Sequence, residues 1–407
     1  EADLRVMVSS DLSQTSDRRE QSRTEAERAL AIARDLDDHP RIASAQLARA
    51  VALRRNNAPD EAREAFTDAL AHAPPSPSAL RGLVLLYSGV HERVHGDYAD
   101  ARRLCEAALD EAGRVGAEWL EVACLGMVGG VAIVQRRFAD ALHATERALA
   151  IHRREGDRRS EMLSIADVGI TNLSMGNSAR AREVLEQALA MAVELGTIHY
   201  EGRLNSLISK AQLALGEPEA ALARTRTAIG LLRRGGYGVD EALARCNACG
   251  ALRDLGRYDE ALAEAGEALA GAERVKMPRA LRRACDEHAR ALWLLDRPEE
   301  AVDWYARSVG HFPDSEVFAE RALLAWQLGH RDAARDFAER GVALPTGAAQ
   351  DVFAGCVHAF VHGRAPDLEA LRKAPHEALA ACAGAFEGQE VSGRSLARLV
   401  RKAVASV

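Results

Sequence analysis

Aromatic side chains are scarce, at 4% of 407 residues, and that scarcity argues against a β-sandwich or barrel core. Such cores are filled by aromatic and β-branched residues. Lysine is nearly missing: Lys210, Lys276, Lys373 and Lys402 are the four, and arginine carries the remaining positive charge. We read that bias as a GC-rich, bacterial coding background. The formal net charge of −7 gives no global pull toward nucleic acid. Cysteines number seven, an odd count, and most stand where a helix wants a small apolar residue, which suits reduced thiols better than a disulfide frame. No apolar run is long enough to span a bilayer, and no signal peptide is visible. A cytoplasmic protein with no membrane partner is therefore expected. There is no phosphate-cradling glycine loop, no dinucleotide fingerprint and no Gly-x-Ser-x-Gly, so neither an enzymatic site nor a cofactor is expected.

What the chain has is a period. An alanine recurs at Ala62, Ala101, Ala141, Ala181, Ala221, Ala261, Ala301 and Ala334, in steps of 39, five of 40, and 33. Seven or eight residues after it comes an Ala-Leu pair, as in Ala108-Leu109 and Ala188-Leu189. Twelve residues before it stands a small residue: Ala50, Gly89, Gly129, Gly169, Ser209, Cys249, Ala289 and Ala322. Self-similarity at this spacing predicts a solenoid whose units bury their apolar faces against neighbours. Each unit reads as two helices. Ala181, Leu185, Ala188, Leu189 and Ala192 make one amphipathic stripe in the second helix of its unit. Glycines at 116, 156, 196 and 236 stand where a left-handed C-terminal cap is needed. A glycine inside the first helix, as at Gly129 and Gly169, predicts a helix crossing with no room for a larger side chain.

Gly96-Asp97-Tyr98-Ala99-Asp100-Ala101 and Gly256-Arg257-Tyr258-Asp259-Glu260-Ala261 are the best copies of the marker, and in them the chain resembles the tetratricopeptide repeat family. The resemblance covers roughly residues 20–343. It implies an all-α, right-handed superhelical solenoid of about eight antiparallel helix pairs with a C-terminal helical cap at 344–407. The chain begins at Glu1 rather than Met, so residues 1–19 are expected to be a lead-in of the kind the end of a preceding domain would leave. The long, forty-residue form is similar to the sensor and interaction regions of bacterial signal-transduction ATPases and maltose-activator-type transcription regulators.

In that family the first helix of each pair lines the concave surface. Carried over, the groove positions of the early and middle repeats are Leu83, Leu86, Val90, Ile133, Val134, Leu163, Ile170 and Leu173. Those of the later repeats are Arg203, Lys210, Arg253, Arg283, Asp286, Arg290 and Trp293, then Trp326. Arg203 with Lys210, and Arg283 with Arg290, are each seven apart and share a helix face. Neighbouring carboxylates are few, Asp254 and Asp286 among them, so an electropositive strip is expected there. Its partner would be a protein or peptide carrying acidic and apolar residues, with nucleic acid not expected. The family's clamp for a chaperone tail is matched only at Asn247, so chaperone-tail binding is not expected. Two further readings stay open: a ligand- or peptide-sensing regulatory domain of a larger bacterial signalling or transcription protein, and the accessory domain of an enzyme whose catalytic part lies elsewhere. Cys246, Cys249, Cys285 and His288 have soft-ligand chemistry, but each pair sits mid-helix without a reversing turn, so no metal is expected. The basic stretch Arg394–Lys402 reads as a solvated cap.

Overall fold

The structure is a computed structural model that describes residues 19–55, 58–275, 277–309, 315–343, 348–362 and 369. Among them are eighteen helices and no strand. The chain divides after Asp157 into two compact units.

The first unit contains α1 (Arg19–Asp35), α2 (His39–Arg55), α3 (Pro59–His72), α4 (Ala79–His95), α5 (Tyr98–Val115), α6 (Glu118–Val134) and α7 (Phe138–Glu155). The second contains α8 (Arg158–Ser174), α9 (Ser178–Glu194), α10 (Ile198–Ala214), α11 (Pro218–Gly235), α12 (Gly238–Asp254) and α13 (Tyr258–Val275). It continues with α14 (Pro278–Leu294), α15 (Pro298–Val309), α16 (Ser315–Gln327), α17 (Arg331–Val342) and α18 (Ala348–Val361). Even-numbered helices from α2 to α16 are the first helices of their pairs; α2, α4 and α6 pack each on the next, and so do α8, α10, α12 and α14. The last helix, α18, packs on α16 and α17. The basic stretch at 394–402 lies outside the described residues.

All eight marker alanines are fully buried, and so are all eight small-residue positions. The reason is contact between the two helices of a pair. The Cys249 thiol donates to the Ala261 carbonyl, twelve residues on, at 3.5 Å. A Cβ built on Gly89 would lie 3.1 Å from the equivalent Ala101 carbonyl and 2.5 Å from Cys105 Sγ. At Gly169 it would lie 2.5 Å from Leu185 Cγ. Gly129 departs from expectation: its Cβ would meet nothing nearer than 3.6 Å, because Thr145 and Ala144 stand opposite instead of leucine.

The expected caps form at Gly116, Gly156, Gly196 and Gly236, with φ of 67°, 70°, 63° and 75°. First helices end the same way at Gly96, Gly176, Gly216 and Gly256, but Arg136 and Asp296 occupy that slot in two repeats, with φ of 58° and 61°.

Candidate partner-binding face

The later groove positions all fall in the second unit, on α10, α12, α14 and α16. Among the cations Arg203 is exposed, Lys210, Arg283 and Arg290 are half-buried, and Arg253 is buried. The Arg203 side chain is 44% exposed and lies 3.7 Å from the Asp240 carboxylate at the start of α12. Asp240 also meets His199 Nε2 at 2.7 Å, and that imidazole stacks on Tyr237 at 4.2 Å. On α8, Asp167 is open to water yet hemmed in by protein. That crowding pushes its carboxyl up to about 6, while Arg203 pulls it down. Water access softens the push.

A polar ladder then runs across three successive first helices. Asn247 on α12 donates from Nδ2 to Ser206 Oγ (2.9 Å) and to the Ser206 carbonyl (3.1 Å) on α10. Its Oδ1 accepts from Arg283 on α14 at 3.2 Å. Half-exposed Leu207 and Leu243 lie on α10 and α12, half-exposed Leu163, Ile170 and Leu173 lie on α8, and Lys210 is half-buried.

The remaining predicted cations do not form an open electropositive strip. Arg253 is buried and ion-paired with buried Glu287. Arg290 bridges Glu287 (3.1 Å) and Glu320 on α16 (3.0 Å). Asp286 is buried, accepts from Ser308, and faces Arg282 at 3.4 Å. Burial pushes its carboxyl up to about 6, opposed first by Arg290 and then by Arg282. Arg253, Arg282 and Arg290 thus stand among Asp286, Glu287 and Glu320. Trp293 is 2% exposed and donates from Nε1 to Gln327 Oε1 at 2.8 Å. Trp326 is half-buried, with the Arg331 guanidinium 3.5 Å over its ring. A charge taken from water must be paired inside, and Glu287 and Glu320 do the pairing that was expected to be lacking.

One more expectation changes. Leu83 and Leu86 are core residues, whereas Val90 and Ile133 are half-buried and Val134 is exposed. The four soft-ligand residues do not converge. Cys246 and Cys285 sit in an apolar cluster with Ala268 and Ala284, their thiols pushed up to about 11 by burial. His288 stacks on Trp304 at 4.2 Å. No group of three or more His, Cys, Asp or Glu able to hold a metal occurs among the described residues.

Sequence reasoning also passed over a motif in the first unit, His91-Glu92-Arg93-Val94-His95 at the end of α4. Its spacing of two histidines around a Glu was the available signal. Glu92 accepts two hydrogen bonds from Arg63, at 2.8 and 2.9 Å, and this fork holds its carboxyl below its usual range. His91 is fully buried with its ring beside Phe66 and His95, and burial pushes its pKa down to about 4.

Residues 16–77 match the family model described as tetratricopeptide repeat. No curated protein matches the chain by sequence. Similar solved structures include a Rap protein complexed with competence and sporulation factor, 16% identical with a TM-score of 0.55, covering 84% of this chain and 97% of that one. NprR in complex with its cognate peptide NprX is 14% identical with a TM-score of 0.53, covering 81% and 99%. Aspartyl phosphate phosphatase F from Bacillus subtilis is 13% identical with a TM-score of 0.53, covering 86% and 94%. At such identities the likeness is one of fold. No helix among the described residues is long and apolar enough to cross a membrane. The opening repeats thus match the tetratricopeptide repeat family, and the described helices alternate as first and second helices of tandem pairs, the fold of those similar structures.

Proposed function

We propose that the chain is a non-enzymatic module that binds a protein or peptide on the first-helix face of its second unit. The observation that carries this reading is the ladder Ser206–Asn247–Arg283. It joins three successive first helices, which also carry exposed Arg203, half-buried Arg283 and half-exposed Leu207 and Leu243. An extended segment alternating acidic and apolar side chains suits that mixture. Arginine gives forked contacts to carboxylates, and leucine gives apolar area. The alternation of Asp167, Arg203 and Asp240 along one side restricts the acidic residues of the partner to the Arg283 side.

The peptide carried by NprR and the factor carried by the Rap protein support a sensing role, in which this face reports a ligand to a larger signalling or transcription protein. The test is capture of the partner from the native host and titration against two double variants. Arg203→Glu with Arg283→Glu should weaken it and remove its salt dependence. Arg182→Glu with Arg224→Glu, on the second helices α9 and α11, should not. Equal affinities for the two would overturn the assignment.

A further inference from the structure

A cavity of about 180 Å³ lies between the second helices α11 and α13 of the second unit and reaches down to α12. Leu222 and Ile229 on α11 and Ala248 and Leu252 on α12 line its depth, and all four are buried. Ala248 leaves part of the space. Forty residues earlier the equivalent place holds Ile208, which is fully buried, and alanine is too short to fill it. The rim is open for a second reason. Forty residues before Arg226 and Glu264 stand Glu186 and Arg224, which form an ion pair between α9 and α11 at 3.4 Å. The charge-reversed pair does not form one repeat later. Glu264 is ion-paired with Arg245 on α12 instead. Arg226 is exposed at the rim, and no ion pair holds it among the described residues.

The depth is apolar, and the rim carries both signs on opposite walls: Arg226 on α11, Glu260 and Glu264 on α13. An apolar cavity of about 150 Å³ takes up a molecule the size of benzene, so this one has room for a branched or aromatic side chain. A guanidinium that no protein carboxylate occupies offers a forked contact to a ligand carboxylate. The glutamates suit an ammonium. Glu260 accepts from Arg257 at 2.6 Å, which holds its carboxyl below the usual range, and Arg226 lowers it further. Each glutamate is engaged by one arginine, but a carboxylate has about four acceptor positions and keeps some free. A ligand with a carboxylate alone would face the two glutamates uncompensated, and one with an amine alone would face Arg226. We propose that this cavity binds a free α-amino acid with a branched or aromatic apolar side chain. The side chain fills the cavity, the carboxylate meets Arg226, and the ammonium points to Glu260 and Glu264. None of Arg203, Asn247 and Arg283 lines the cavity, so the site is separate from the first-helix face.

L-leucine is titrated into the full chain, and the methyl resonances of Leu222, Ile229 and Leu252 are followed by NMR. They should move and saturate. Leucine without its ammonium (4-methylpentanoate), leucine without its carboxylate (3-methylbutylamine) and leucine capped at both ends should all bind more weakly. Arg226→Gln, at an exposed position, should weaken leucine about two- to fivefold, the scale of an exposed ion pair. Ala248→Ile puts in the residue that the preceding repeat holds there, and should abolish the response while the melting transition stays cooperative. Arg203→Glu with Arg283→Glu should leave the response unchanged. Methyl resonances that do not move, or an Arg226→Gln chain that binds leucine as the parent does, would overturn the proposal. Capped leucine binding as tightly as the free amino acid would overturn it too, by pointing to a peptide segment. Loss of the response in the Arg203 and Arg283 double variant would do the same, by placing the ligand on the first-helix face.

Discussion

Replacing the two glycines of adjacent repeats by alanine should move stability in opposite directions. Gly129 and Gly169 occupy the same slot of the repeat, in α6 and α8. In both, alanine gains about 0.5–1 kcal/mol over glycine because less backbone freedom is lost on folding. At Gly129 the new Cβ would meet the Ala141 carbonyl and Thr145 Oγ1 at 3.6 Å and Ala144 Cβ at 3.8 Å, which is ordinary contact. The gain survives, and Gly129→Ala should be stabilising by about 0.5–1 kcal/mol. At Gly169 the Cβ would lie 2.5 Å from Leu185 Cγ and 2.6 Å from Cδ2. Cγ is near the root of the side chain, and Leu185 is fully buried, so it cannot swing aside without moving α9. Overpacking of this kind costs about 1–3 kcal/mol, so Gly169→Ala should be destabilising by up to about 2 kcal/mol net, and Gly169→Leu by more. The decisive arm is the Leu185→Ala background. That change alone costs about 2–5 kcal/mol, but it removes the obstacle, so Gly169→Ala made on top of it should become stabilising. Urea unfolding followed by circular dichroism gives the order. Hydrogen exchange of α8 and α9 localises the effect, since repeats open locally. Gly169→Ala as stable as Gly129→Ala, or no change of sign in the Leu185→Ala background, would refute the packing argument. Glu186→Leu, at an exposed neighbour on α9, should do little.

Arg136→Gly and Asp296→Gly should each raise the urea midpoint, by about 1 kcal/mol of stability, because both residues hold a left-handed conformation that their Cβ resists. No shift at either would mean that the strain is relieved locally. Arg63→Ala should destabilise the first unit at pH 7 by about 1–2 kcal/mol, a modest figure because Arg63 is half exposed. The Glu92 carboxyl is held below its usual range in the folded state, so this contribution is present above the unfolded carboxyl pKa and is lost as pH falls through the folded one. Thermal melts of parent and variant should therefore converge on acidification, and a constant gap would contradict the ion pair's role.

The period and the helix pairing were legible because both depend on residue size at fixed spacing. Ala101 and Ala261 have no space around them, and nothing larger would have fitted. Gly129 shows the limit of that logic. A small residue in the slot reports that helices cross, but the distance of approach is set by what stands opposite, Thr145 in one repeat and Leu185 in the next. The division after Asp157 carries no such mark, since the forty-residue step continues through it.

The candidate face was less legible, for a geometric reason. Cross-repeat partners do not sit at the repeat step. Arg253 pairs with Glu287, 34 residues on, Arg290 with Glu320, 30 on, and Asn247 meets Arg283, 36 on. The offset varies from pair to pair, so Glu287 and Glu320 could not be matched to their arginines by periodicity. On α12 and α14 depth follows position along the helix. Arg253 and Trp293 lie in the last turns of α12 and α14 and are buried. Arg203 and Arg283 lie in the second turns of α10 and α14, and Asp240 in the first turn of α12, and all three reach solvent to some degree. On the proposed reading a bound segment crosses the N-terminal halves of α10, α12 and α14, while Trp293 ties the C-terminal half of α14 to α16 through Gln327.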